Sequence, residues 1–325
     1  MKLVRRDFLG LAGAAVVAPA FSRLAAAQTY PARPVRIIVG FGAGGSPDII
    51  ARLMAEWLSQ RLGQQFIIEN RPGAGGNIAA EAALRAPADG HTLLWVAAAN
   101  AVNATLYDKL NFNLVRDIAP VAGITRGPQV MEVNPSFPAK TVPEFIAYAK
   151  ANPGKINMAS TGTGNLSHLA GELFKMMTGV EILHVPYRGA APALTDLLSG
   201  QMQVMFDAMP SSIEHIRAGK LRALAVTTAK RWEGLPNIPP VREFVPGYET
   251  SVWSGLGAPA NTPVEIIYKL NQEINAGLVE PKITARLADL GSEALASSPA
   301  DFGKLIVEEI EKWAKVVKFA GAKPS

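Results

Sequence analysis

The 325-residue chain contains no cysteine, which excludes disulfides, thiolate metal sites and a lipid anchor on an N-terminal Cys. Histidine is scarce: His91, His168, His184 and His215 are the only four, and none has a His or Cys partner at metal-ligand spacing. Charged residues make up 18% and aromatics 7% of the chain. Much of the formal net charge of +5 sits at the start, where Lys2, Arg5, Arg6 and Arg23 face one acid, Asp7. No basic stripe remains further along, so nucleic acid is excluded as a partner. No later stretch approaches the ~20 apolar residues of a membrane span. Catalytic signatures are missing as well. There is no Gly-x-Ser-x-Gly elbow, and no Ser, His and acid stand at recognisable spacing. Gly42-Ala43-Gly44 begins a dinucleotide fingerprint, but Pro47 occupies the position of its third glycine. No cofactor and no metal are expected.

What is present begins with a leader. Residues 1–27 combine basic Lys2, Arg5 and Arg6, a short apolar run from Phe8 to Ala20, and the small residues Ala25-Ala26-Ala27. This is a cleavable export signal, so the mature protein is expected in the periplasm. Arg5-Arg6-Asp7-Phe8-Leu9 resembles the twin-arginine signal, with Val4 where Ser or Thr is usual.

The organising stretch of the mature chain is Gly40 to Asp48, a glycine turn between a buried β-branched strand (Val35, Ile37, Ile38, Val39) and an amphipathic helix. Ser46 suits the N-cap, Pro47 the first helical position and Asp48 the positive end of the helix dipole; Gly63 stops the helix. A helix entered this way points unpaired N–H groups above the sheet, where an anion would sit. A second strand (65–69), a second glycine loop from Asn70 to Asn77, a helix from Ile78 to about Arg85 and a strand from Thr92 to Val96 predict a doubly wound parallel sheet.

The same order then recurs. A helix boxed by Thr141 and Glu144 precedes a strand at 156–160, the turn Thr161-Gly162-Thr163-Gly164-Asn165, and a helix from Leu166 to Thr178 ended by Gly179. A strand at 181–185, the loop Pro186-Tyr187-Arg188-Gly189, a helix at 191–199 and a closing strand at 202–206 follow, with Asp207 at its carboxyl end. Past a strand at 221–227, the Pro- and aromatic-rich segment 230–247 reads as an ordered crossing. Two helices remain, one capped by Thr262, Pro263 and Glu265 and one by Ser298, Pro299 and Asp301, expected to dock on the first domain. The predicted division is 28–126 and 249–325 for the first domain and 127–248 for the second.

Two glycine loops on two facing sheets form a bipartite anion clamp, which suits a carboxylate and needs no catalytic machinery. Plain tight turns are the alternative reading of both loops. In the second loop Gly164 is expected to need a positive φ or a close backbone approach, with Asn165 as cap. His168, third in its helix, is expected as a neutral imidazole with a capping, packing or ligand role. Asp48 reads as a dipole acid turned away from the ligand. Asp207 reads as an acceptor for a ligand hydroxyl or ammonium, or for a loop N–H. Arg71 and Arg188 are either counter-charges or solvated turn residues, and His91, His184 and His215 read as structural.

Taken together, Phe41 to Asp48, Asn70 to Asn77, Ser160 to Asn165 with His168, His184 to Gly189, Leu221 to Thr227 and Gly255 to Pro259 form a specific ordered set. On them, the chain resembles the Bug-type solute-binding receptors of tripartite tricarboxylate transporters over nearly its whole mature length. The resemblance implies a type II periplasmic binding protein of two α/β domains joined by crossing strands. It also implies a monomer that takes a small carboxylate and delivers it to a two-component membrane permease. Carried over, the ligand contacts are Phe41, Gly42, Ala43, Gly44, Gly45 and Ser46 from the first loop and Ser160, Thr161, Gly162, Thr163, Gly164 and Asn165 from the second. Gly75, Asn100, His168, Tyr187 and Asp207 line the rest. The chain departs from the family at Gly40, where Pro is common, and at Ala97-Ala98-Ala99-Asn100, a stretch usually bearing Ser or Thr. Fewer hydroxyls there imply a less polar distal pocket and a mono- or dicarboxylate that is less citrate-like, possible aromatic bodies included. A carboxylate-processing enzyme and a ligand-presenting sensor adaptor are the other classes compatible with this clamp.

Overall fold

A computed structural model describes residues 30–324 except Gly45 and Arg188. The leader, with its twin-arginine reading, lies outside the described residues, as do Gly45 of the first loop and Arg188.

The first lobe starts with β1 (Val35–Val39), α1 (Ser46–Leu62), β2 (Phe66–Asn70), α2 (Asn77–Leu84), β3 (Thr92–Ala97), α3 (Ala98–Leu106), α4 (Leu114–Asp117) and β4 (Ile118–Gly127). The chain then passes through β5 (Gln129–Val133), α5 (Val142–Ala151), β6 (Asn157–Ser160), α6 (Leu166–Thr178), β7 (Leu183–Pro186), α7 (Ala190–Leu198), β8 (Val204–Ala208), α8 (Met209–Arg217) and β9 (Arg222–Val226). It returns through β10 (Val252–Pro259), α9 (Val264–Leu278), α10 (Pro281–Asp289), β11 (Glu293–Ala294) and α11 (Pro299–Ala320).

Two mixed sheets result, ordered β11-β4-β10-β3-β1-β2 and β7-β6-β8-β5-β9. The expected parallel βα units are there, since β1 pairs parallel with β2 and β3, and β6 with β7 and β8. Neither sheet is wholly parallel. β10 runs antiparallel between β3 and β4, and β5 antiparallel between β8 and β9. These antiparallel strands are the ones that carry the chain between sheets. One residue, Pro128, separates β4 from β5, and the chain re-enters the first sheet at Val252. Buried side chains tie the crossing together. The Gln129 amide donates to Thr227 Oγ1 at 2.9 Å, that hydroxyl donates to the Thr250 carbonyl at 2.9 Å, and Thr250 Oγ1 donates to Gln129 Oε1 at 3.1 Å.

β1 is apolar because both its faces are covered. Val35, Ile37 and Val39 meet Ile50, Met54 and Leu58 of α1, while Ile38 joins Leu94 and Ala79 on the other side. Gly40 closes the strand where a Cβ would come within 2.7 Å of Gly76 Cα. The two glycine loops of this lobe therefore touch through backbone, and only glycine fits.

After β10 there are three helices, not the two expected, because the nine-residue α10 follows α9 directly. Thr262 does not cap α9; its hydroxyl donates to the Pro259 carbonyl at 2.7 Å. Ser298 does cap α11, accepting the Asp301 amide at 3.1 Å. α11 also docks more widely than expected. Phe302, Ile306, Trp313 and Val316 share one core cluster with Val102 and Leu106 of α3 and with Phe145, Phe174 and Tyr248 beyond the crossing. The last helix therefore straddles both sheets. No helix among the described residues is long and apolar enough to cross a membrane.

Candidate functional site

Strand, glycine turn and helix place helix N-termini at the carboxyl ends of parallel strands, and the two lobes point these ends at one another. Between them lies a cavity of about 340 Å³. The start of α1 contributes Phe41, Ser46, Pro47 and Ile50; the start of α3, Ala97, Ala98 and Ala99; the start of α6, Asn165 and Leu166; and the start of α8, Ala208, Pro210 and Ser211. Thr125, Gly127, Val252, Trp253 and Ser254 of the crossing strands form its floor, with Gly291 and Ser292 at one side. None of these lining residues is ionisable. The N-cap residues of α3, α6 and α8 are Ala97, Asn165 and Ala208, and none makes a side-chain cap bond. Four positive helix ends thus face one small space. The first turns of α3 and α6 enter it without side-chain caps, whereas in α8 the Met209 amide donates to the Pro128 carbonyl at 3.3 Å and Pro210 has no N–H.

Asn165 is therefore not the cap expected of it. Its Nδ2 turns back and donates to the Thr161 carbonyl at 3.0 Å, which folds the loop onto itself. Helix α1 begins at Ser46, so the capping position falls on Gly45, outside the described residues.

Several of the loop amides are engaged by side chains. In the first loop the Gly44 amide donates to Asp48 Oδ2 at 2.8 Å. Asp48 is 2% exposed and also accepts from Arg52 Nε at 3.0 Å and Asn70 Nδ2 at 2.9 Å. Burial pushes its carboxyl up, but the hydrogen bonds from Arg52, the Gly44 amide and Asn70 outweigh that and hold it at about 2. Asp48 thus braces the loop. In the second loop the Gly162 amide donates to Ser160 Oγ at 3.2 Å and the Gly164 amide to His168 Nδ1 at 3.1 Å. A ring nitrogen that accepts an amide proton is unprotonated, so His168 carries its proton on Nε2, 3.5 Å from Glu172 Oε1.

His184, a structural residue by its sequence context, lies beside the loop. It stacks on His168 at 3.7 Å, and its Nε2 lies 2.6 Å from Ser160 Oγ. Burial, then the neighbouring His168, lowers its pKa to about 4, so at neutral pH it is a neutral imidazole hydrogen-bonded to the Ser160 hydroxyl. Ser160, in turn, accepts from Gly162.

Of the expected contacts, Phe41, Ser46 and Asn165 line the cavity, and the α3 wall begins three residues before Asn100. Gly42, Ala43 and Gly44 are exposed at the loop tip, and Thr161, Gly162 and Thr163 are half-buried. Asn100 Oδ1 accepts the Ala97 amide at 2.8 Å, holding the α3 entrance. The Gly75 carbonyl accepts from Asn103 Nδ2 at 2.8 Å, and Tyr187 donates to Asp196 Oδ2 at 2.6 Å. Ser160 and His168 are buried with the partners given above. Asp207 is 2% exposed and accepts from the Ala208 amide, Ser211 and Ser212. Of its expected partners, then, the loop N–H and hydroxyls of its own helix are the ones present. Arg71 pairs with Glu69 at 2.6 Å, partly exposed.

Sequence reasoning missed the α8 wall, the floor at Trp253 and Ser254, and Glu132, a fully buried acid on β5. Pro210 two residues into α8 was a usable start signal, and a single acid in the apolar run Val130 to Val133 was a usable sign of a special site.

Comparison with known proteins agrees with this geometry. Residues 50–322 match the family model described as tripartite tricarboxylate transporter family receptor. The chain is 37% identical to protein BugT of Bordetella pertussis over 96% of its own length and 95% of that protein's. Among solved structures it resembles Rpa4515 of R. palustris with adipate at 41% identity and a TM-score of 0.78, covering 91% of this chain and 100% of that one. It also resembles MatC of Rhodopseudomonas palustris with bound malate at 33% identity and a TM-score of 0.75, covering 89% and 100%. A two-lobed α/β fold with an interlobe cavity, matched end to end in sequence and structure, means that the chain belongs to the Bug-type receptors of the tripartite tricarboxylate transporter family, a family of periplasmic solute-binding proteins.

Proposed function

We propose that the protein captures a small mono- or dicarboxylate in the cavity between its lobes and delivers it, as a monomer without chemical turnover, to a two-component membrane permease. The observation that carries this reading is the convergence of four helix N-termini, three without side-chain caps, on a cavity whose walls, among the described residues, carry no ionisable side chain. Open first-turn amides bind an anion without a basic residue. Each charge-assisted hydrogen bond contributes roughly 1.5–3 kcal/mol, and four to six of them, less ordering costs, reach the ~8 kcal/mol of micromolar affinity.

The remaining walls describe the ligand's body. Phe41, Ile50, the three alanines 97–99, Leu166, Val252 and Trp253 are apolar, which favours an aliphatic chain or an aromatic ring over a hydroxyl-rich acid. The related proteins solved with adipate and malate support the carboxylate class. Phe41, Ser46 and Asn165 with the α3, α6 and α8 entrances supply the contacts in this reading, and Asp48, Ser160, His168 and His184 hold the loops in shape. Residues 28–126 with 249–325 form one lobe and 127–248 the other. The leader directs the chain to the periplasm.

The test is to denature protein purified from its host and identify released acids by mass spectrometry. Titration of the emptied protein with adipate, malate and benzoate by calorimetry follows, with small-angle scattering to detect closure of the lobes. A retained or titrated carboxylate with a smaller radius on saturation is expected. No heat with any acid, or loss of the acid on incubation with catalytic amounts of protein, overturns the receptor reading.

A further inference from the structure

Behind the α8 wall of the cavity lie two carboxyls joined by a single hydroxyl. Glu132 on β5 and Asp207 on β8 project from the same face of the second sheet, in strands paired so that Glu132 stands opposite Met205, two residues before Asp207. Ser212, in the first turn of α8, sits between them, its Oγ 2.7 Å from Glu132 Oε1 and 3.2 Å from Asp207 Oδ2. Glu132 and Ser212 are fully buried and Asp207 nearly so.

We propose that this trio holds one proton between its two carboxyls, on Glu132, and that the proton strengthens anion capture beside the α8 wall. The proposal rests on the carboxylate-receptor reading and names how that site is regulated.

Proton counting carries the first half. Ser212 has one hydroxyl proton and two carboxyl oxygens within reach, so with both carboxyls ionised one of the two contacts would set lone pair against lone pair. One carboxyl must therefore donate. Asp207 is the better seat for negative charge, because the Ala208 amide and the hydroxyls of Ser211 and Ser212 all donate to it. Glu132 is the better seat for the proton, since its Oε2 is buried without any partner. Glu132 Oε1–H then donates to Ser212, and Ser212 donates to Asp207. Burial, then the charge of Asp207, moves Glu132 well above the ordinary carboxylate range, and burial raises Asp207.

Other titratable groups on the elements packed here are turned elsewhere. Arg222 of β9 donates to the carbonyls of Pro135, Phe137 and Ala139. Glu214 and Arg217 of α8 pair with each other on the surface, and His215 stands in the same last turn of that helix. Asp196 of α7 accepts from Tyr187. Among the described residues, no cation is paired with Glu132 or Asp207.

The link to the ligand is α8 itself. Ser211, which lines the cavity, and Ser212, which bridges the acids, are neighbours in its first turn. With one proton, the trio carries a single charge already absorbed by three donors. Losing that proton puts a second negative charge behind a wall that must attract an anion. A unit charge about 10 Å from another, at an effective dielectric of about 20–40, changes an affinity roughly four- to fifteen-fold.

The experiment reads the proton first, without ligand. With ¹³C-carboxyl-labelled Glu, wild type is expected to show one glutamate signal still protonated at neutral pH and missing in Glu132→Gln. A fully ionised set of glutamates overturns the proposal whether or not any acid binds. Adipate is then titrated from neutral to alkaline pH. Wild type is expected to lose affinity by roughly four- to fifteen-fold, while Glu132→Gln, which keeps the neutral shape, stays flat. Parallel profiles in the two proteins overturn the link to the ligand. Should wild type bind no carboxylate at any pH, the receptor reading fails, and the NMR titration still decides the proton.

Discussion

Gly44→Ala and Gly164→Ala begin from the same backbone and differ only in surroundings. Gly44 has φ of +80° and Gly164 of +78°, so alanine at either position enters the left-handed region at a cost of roughly 1–2 kcal/mol. The more restricted unfolded chain returns about 0.4–1 kcal/mol. A Cβ on Gly44 would meet nothing within 4 Å, whereas on Gly164 it would lie 2.5 Å from Leu106 Cδ2 at the end of α3. Leu106 is buried in the shared core, and forcing it aside adds about 1–2 kcal/mol, the lower part of the overpacking range because a leucine tip can turn. Gly44→Ala should therefore cost about 0.5–1.5 kcal/mol and Gly164→Ala about 2–3 kcal/mol, read by urea unfolding with linear extrapolation. Leu106→Ala in the Gly164→Ala background should recover about 1 kcal/mol relative to the sum of the single changes. Because Gly164 and Leu106 belong to different lobes, Gly164→Ala should also weaken adipate capture. Equal costs at the two glycines, or strict additivity with Leu106→Ala, would refute the argument that the second loop is a contact between lobes.

Three further outcomes follow from the same contacts. Asp48, held at about 2 against an ordinary 3.8, should contribute up to about 2 kcal/mol that is present above pH 3.8 and lost as pH falls towards 2, so Asp48→Asn should abolish that slope in acid unfolding curves. His184 is held neutral with a pKa of about 4 against an ordinary 6.5; the unfolded chain takes up its proton first, so stability should fall as pH drops between these values, and His184→Gln should remove this part of the profile. Ser298→Ala, which deletes a cap actually made, should cost about 0.5–2 kcal/mol, while Asn165→Ala at the open start of α6 should cost less; the reverse ranking in denaturant melts would contradict the capping assignment.

The sequence by itself determined whatever depends on neighbours along the chain. Strand, glycine turn and helix could be read at Val35 to Leu62 and at Asn157 to Thr178, Gly179 could be read as the stop of α6, and the ordered motifs were enough to reach the family. Propensity, caps and turn chemistry act over a few residues, so they leave a local trace. The tertiary structure decided what depends on residues far apart. The antiparallel course of β10 between β3 and β4 joins segments more than a hundred residues apart, and its register follows from burial on both sides. The amides of Gly44, Gly162 and Gly164 are held by Asp48, Ser160 and His168, while the first turns of α3 and α6 enter the cavity without side-chain caps. Folding sets Glu132, fully buried, against Ser212 and through it against Asp207. Desolvation and hydrogen-bond partnership are properties of the packed interior, and no spacing in the chain encodes them.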